Sequence, residues 1–171
     1  MPGNNGLLNN FQIVTATYPV ADAFAAGVTT DAVSLALYKR ATLVVMTGAA
    51  ETNGAAISNI VTLEACTAAA GTNNTAMAFR SSASRSSTTV DSWSDLTARA
   101  ATGYDFAAAN LVNNAMWLAE VTAAEVNAAY PGAMFVRAVI AETVDKTITA
   151  GAIWILSEPR HPGSVPLTAI V

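Results

Sequence analysis

The chain has 171 residues, 53% of them apolar and only 12% charged, with a formal net charge of -4 and a pI near 4.7. That length fits one domain large enough to bury a core without disulfide or metal staples. The acidic, sparsely charged composition excludes the basic footprint of a nucleic-acid-binding protein, and the apolar runs fall well short of the roughly 20 residues a transmembrane helix needs.

Residues 1–10 are rich in Gly and Asn and read as an extended arm. They carry no basic segment followed by a compact apolar one, so no signal peptide is expected. "FQIVTATYPV" reads as a first strand, and "ADAFAAGVTTDA" as a loop or a single helical turn. "VSLALY" and "ATLVVMTG" are consecutive strand candidates, with Lys39 and Arg40 between them. Their length, Val and Thr content and the terminating Gly48 favour strand over helix. If "ATLVVMTG" lies inside a sandwich, Val44→Asp is expected to unfold the protein by burying an unpaired charge.

"NIVTLEACT" alternates, with Val61, Leu63 and Ala65 on one face and Thr62, Glu64 and Cys66 on the other. That is the period of a half-buried strand. "AMAFRS" follows as a strand, "SSASRSSTT" as a polar low-complexity loop, and "TTVDSW" as a further strand candidate. Between Asp105 and Tyr130, alanine favours helix and Asp105 could cap it, but Asn113 and Asn114 interrupt. Residues 115–121 lean to strand, with helix or strand over 105–121 left open. Thr122 and Glu125 have the spacing of a capping box, which predicts a short helix ended by Pro131-Gly132.

"AMFVRAVIAET" and "TITAGAIWIL" are long strand candidates separated by a gap of hairpin size. Both faces of each are largely apolar, which suits central strands covered on both sides. The tail "SEPRHPGSVPLTAIV" carries three prolines and is not expected to join a sheet centrally. The sum is a mainly β chain: a single-domain antiparallel β-sandwich, jelly-roll-like, with one short helix and extended termini. The arm covers 1–10, the sandwich 11–157 and the Pro-rich tail 158–171.

Chemistry is hard to find in this sequence. Cys66 is alone, so neither an intrachain disulfide nor a cysteine metal framework is possible. It reads as a small buried hydrophobe. His161 is the only histidine and sits in the tail, where a surface or interface role outweighs that of a catalytic base. The carboxylates are scattered and form no calcium loop. Asp91 and Asp95 flank Trp93 and could suggest a glycosidase pair or a sugar platform, but a polar loop is the simpler reading. No phosphate-binding loop, zinc-protease or serine-hydrolase motif occurs. No catalytic residue, cofactor or metal site is expected. "NNT" at Asn73–Thr75 matches a glycosylation sequon and is taken as chance.

The low charge has two open readings: a neutral Thr-, Ser- and Asn-rich surface, or a surface covered in an assembly. Trp117 and Trp154 lie in strand-like runs and are expected in the core. Trp93 lies among polar residues and is a candidate interface anchor. Arg137 sits on an apolar strand face, where it either reaches the rim or pairs with a carboxylate such as Glu120 at a subunit contact. Trp93, Arg137, Arg160 and His161 are the candidate assembly contacts.

The order "YKRATLVVMTGAA", "VTLEACTAAAGTNNTAMAFR", "MWLAEVTAAEVNAAYPGAMFVRAVIAET" resembles a group of small bacteriophage virion proteins of the minor capsid or capsid decoration (cement) type. The resemblance covers residues 33–156 and rests on strands and turns, not on a catalytic signature. It implies a virion component made in the bacterial cytoplasm, a decoration protein on the outer face of the major capsid protein, and a homo-oligomer with a trimer favoured. The high alanine content and the "SSASRSSTT" segment depart from that pattern. A head-completion or tail component is the rival within virions. A carbohydrate-binding module, resting on Trp93 and Tyr104, is the rival outside them.

Overall fold

The computed structural model describes residues 10–50, 58–85, 92–105, 114–144 and 147–160. In chain order its strands are β1 (Phe11–Val20), β2 (Val28–Thr29), β3 (Val33–Ser34), β4 (Tyr38–Ala50), β5 (Ser58–Cys66), β6 (Asn74–Met77), β7 (Phe79–Arg85), β8 (Ser92–Trp93), β9 (Thr97–Arg99), β10 (Tyr104–Asp105), β11 (Ala115–Thr122), β12 (Phe135–Val144) and β13 (Ile148–Pro159). A helix, α1 (Ala123–Ala129), joins β11 to β12.

The strands form two sheets. Sheet A runs β1-β13-β4-β11-β7-β8, with β9 also on β7. Sheet B runs β10-β5-β12-β2, with β3 also on β12 and β6 also on β5. All the pairings are antiparallel. This is the expected mainly β, single-domain sandwich, with the short helix α1 between β11 and β12.

Alternation along each strand decides what lies between the sheets. From sheet A come Leu43 and Val45 of β4, Trp117 and Ala119 of β11, and Trp154 and Leu156 of β13. Sheet B supplies Val61, Leu63 and Ala65 of β5, and Val136, Ala138 and Ile140 of β12. Trp154 also ties the layers together. Its Nε1–H donates to Thr30 Oγ1 at 3.4 Å, and the same oxygen accepts the backbone N–H of Ala138 on sheet B at 3.0 Å.

The helix starts as the sequence predicts. Thr122 Oγ1 accepts the Glu125 N–H at 3.2 Å, while the Glu125 carboxylate accepts the Thr122 N–H at 2.7 Å. These bonds satisfy donors that a helix N-terminus leaves unpaired. Val126 is the residue the helix buries.

Several expectations change. The two long C-terminal strands are not a hairpin: β12 belongs to sheet B and β13 to sheet A, so the chain crosses the sandwich between them. The β12 face that carries Arg137 is half-exposed, so this strand is not covered on both sides. Lys39 and Arg40 lie within β4, not between two strands. "VSLALY" breaks after Ser34, because β3 pairs with β12 in sheet B while Tyr38 opens β4 in sheet A. "SSASR" is strand: Ser81–Arg85 pair with β11, which satisfies their backbone whatever their low strand propensity. The first two residues of the Pro-rich tail, Glu158 and Pro159, belong to the sheet, and residues 161–171 lie outside the described residues. β13 continues to Pro159, opposite Tyr38 of β4, because a proline at a strand end costs the ladder little. Val44 is on the outer face of sheet A, with its neighbours Leu43 and Val45 turned to the core.

Candidate interaction surfaces

The outer face of sheet A is built from in-register rows. One runs Thr15–Ile153–Val44–Leu118–Ser82 across β1, β13, β4, β11 and β7. The next brings Met46 of β4 beside Met116 of β11. On the other side, Ile13 of β1 stands next to Ile155 of β13. Met46 is 39% and Ile13 48% exposed. The face is therefore apolar and uncharged at its centre, where Val44 is closely covered by its neighbours, and it exposes large apolar side chains to either side. Contiguous apolar surface of this kind marks an interaction site more often than isolated exposed side chains do. The sequence hid it, because an alternating strand reads the same whichever face is inward.

Charge is gathered at one corner of the same face. Arg40 donates from Nη1 to Glu120 and from Nε to Glu158, the latter at 2.9 Å. Arg80 Nη2 lies 3.5 Å from both Glu120 and Glu125. Burial works against the Arg40 charge, but the hydrogen bond to Glu158 and the neighbouring carboxylates outweigh it, so its pKa is raised. Arg80 and Glu125 also border an open groove of about 560 Å³ between α1, β6, β7 and β9, walled by Met77, Phe79 and Arg99.

Arg137 does not meet Glu120, which faces the other way on sheet A. It pairs with Glu64, directly opposite on β5, with Nε 2.7 Å from the carboxylate. The pair is four-fifths buried, partly under the turn at Gly71, where a Cβ would fall 2.2 Å from Arg137 Nη1. Gly71 also has φ of +69°, which favours glycine, and a side chain there would push the Arg137 guanidinium aside. Beside the pair, burial pushes the Cys66 thiol pKa up, which suits an inert structural cysteine. Arg137→Ala leaves the Glu64 carboxylate short of its partner. A loss of about 1–3 kcal/mol is expected in urea unfolding, and a double-mutant cycle with Glu64→Ala should recover part of it. Additive losses would show that the two side chains do not interact.

The other candidate contacts separate. Trp93, on β8 at the edge of sheet A, is 49% exposed and available as an anchor. Arg160 is exposed, and its backbone N–H donates to Leu37 O at 2.9 Å. His161 and Asp91 lie outside the described residues. Tyr104 is not free to stack on a sugar. One face of its ring lies on Trp117, with centroids 5.9 Å apart, and the Arg99 guanidinium sits 3.8 Å from the ring centre. The pair of exposed aromatics needed for a carbohydrate platform is thereby lost. Among the described residues no cluster of three or more His, Cys, Asp or Glu could hold a metal ion, and no helix is long and apolar enough to cross a membrane.

No protein-family model matches the chain, and no curated protein matches it either. Among solved structures it is similar to the SPBc2 prophage-derived protein YomS, at 11% identity over 87% of this chain and 94% of that one, with a TM-score of 0.44. It is also similar to the VP2 protein of infectious bursal disease virus, at 11% identity over 94% of this chain and 42% of VP2, with a TM-score of 0.22. At TM-scores this low the neighbours carry no information about function.

Proposed function

We propose that this chain is a structural protein of a bacteriophage virion, a decoration protein that binds the outer face of the major capsid protein and stabilises the shell. The observation that carries this reading is the uncharged apolar outer face of sheet A, centred on Val44, Ile153 and Leu118 and exposing Met46, Met116 and Ile13. Such a face suits a protein whose work is to be covered. Gluing shell subunits requires contact area, about 1,200–2,000 Å² in all for a stable interface, and it requires no reacting groups. The sequence resemblance supports the same reading and implies a homo-oligomer, with three copies favoured. On this reading the protein is not an enzyme, takes no cofactor, and has neither nucleic acid nor membrane as its partner.

The test is the copy number of this chain in purified particles, relative to the major capsid protein, by quantitative mass spectrometry. Hundreds of copies in simple proportion to the shell protein are expected. A handful would move the chain to the head completion, tail or fibre, and its absence from particles would overturn the virion reading.

A further inference from the structure

Among the described residues nothing pairs with the outer edge of sheet A formed by β1, whose one partner there is β13. In an antiparallel pair, alternate residues turn their N–H and C=O groups away from the partner, so β1 presents a row of backbone donors and acceptors along its free side. Natural edge strands are usually blunted by charge, proline or bulges. β1 carries no charged residue from Phe11 to Val20. Its register irregularities begin after Thr15, and Pro19 lies within the second of them. The regular segment Phe11–Thr15 has none of these defences.

From this edge we infer that β1 pairs with β1 of a second copy of this chain, antiparallel, about a two-fold axis. An open row of backbone groups is satisfied by another extended strand and by little else. A two-fold contact requires a surface that complements itself, and this one does. Centred on Ile13, the pairing sets Ile13 against its own copy, Phe11 against Thr15, and Gln12 against Val14. Every side-chain pair is uncharged, so no like charges meet. Ile13, nearly half exposed in the single chain, is covered by its twin, and the apolar outer face continues from one copy into the next through Ile155. The six-strand path of each sheet A becomes twelve. The contact yields a dimer. If a three-fold contact also forms elsewhere on the surface, it yields a hexamer.

The first test is the mass of the full chain in solution by light scattering, together with hydrogen exchange of the β1 amides. Two or six chains are expected, with the β1 amides protected and that protection lost on dilution. Ile13→Lys places a charge at the axis of the contact on a side chain that is exposed in the single chain. It should halve the mass and expose the amides while leaving the circular dichroism and melting temperature of the single chain close to wild type. A mass of one or three chains for the wild type overturns the inference. So does β1 protection that survives in single chains, which would give the edge to another segment of the same chain. None of these outcomes depends on the virion reading, since copy number in particles is measured separately.

Discussion

Val45→Asp abolishes the cooperative folded state at pH 7, whereas Val44→Asp one residue away leaves the protein folded. Val45 is fully buried between the sheets, beside Trp117 of β11 and Ala152 of β13 in register. Among the described residues no Lys or Arg is buried. A carboxylate there either ionises without a partner or stays protonated with its pKa raised by several units, a penalty of about 4–7 kcal/mol at neutral pH. The lost valine burial adds roughly 1.5 kcal/mol. Together these approach the whole stability of an ordinary domain, about 5–15 kcal/mol. Val44 is 8% exposed, but it faces away from the core between the sheets, with Ile153 and Leu118 beside it in register, and a longer polar side chain there has only same-face neighbours between it and water. Its cost is set at roughly 1–3 kcal/mol.

The pH dependence separates the two variants further. In Val45→Asp the folded-state pKa of the new carboxyl lies above its unfolded value. The penalty is therefore largest above the folded pKa and shrinks as the pH falls toward 4. Urea unfolding of both variants and the wild type at pH 5 and pH 7 provides the comparison. Greater damage from Val44→Asp than from Val45→Asp would mean that β4 is turned the other way and that the outer-face assignment is wrong.

Trp154→Ala is expected to cost about 3–5 kcal/mol, the usual range for removing a fully buried large aromatic. In a chain of this size that lowers the melting temperature by roughly 10 °C. Trp154 lies on β13 between Val14 of β1 and Leu43 of β4, and it is fully buried. Its indole N–H reaches across the sandwich to Thr30, whose hydroxyl donates in turn to Asp31 O at 3.1 Å. Trp154→Phe keeps much of the volume and removes only the donor. Thr30 retains its bonds to Ala138 and Asp31, so the loss should be nearer 1 kcal/mol from the hydrogen bond, plus a smaller cavity term. Thermal melts of the two variants rank the contributions. Equal losses would show that the indole bond, not the buried volume, holds the two sheets together at this point.

What could be read in advance was local. The alternation of "NIVTLEACT" identified β5 and its inner face, because a period of two has one structural meaning when one side is apolar. Thr122 and Glu125 identified the helix start, because a capping box is completed within four residues. Strand and not helix at 115–121 was legible from Met116, Trp117 and Leu118 after an asparagine break. The pairing of Arg137 was not legible, because Glu64 is 73 residues away in sequence and only the register of β12 on β5 puts them face to face. The strand character of "SSASR" was hidden for a related reason. Ser81 and Ser82 are buried, with their hydroxyls bonded to Arg99 and Ser94. Those partners belong to a neighbouring segment of the sheet edge, which the propensities of the serines do not reveal.

By itself the sequence determined the class of the fold, most of the strands, the helix after β11 and the scarcity of reactive groups. All of these follow from residue type and short-range spacing. Only the tertiary structure decided which strands share a sheet, which face of β4 looks outward, and that β1 ends sheet A among the described residues. Those properties depend on backbone pairing between segments far apart in the chain, such as β1 with β13 and β4 with β11, and a backbone hydrogen bond leaves no mark on the side chains that encode it.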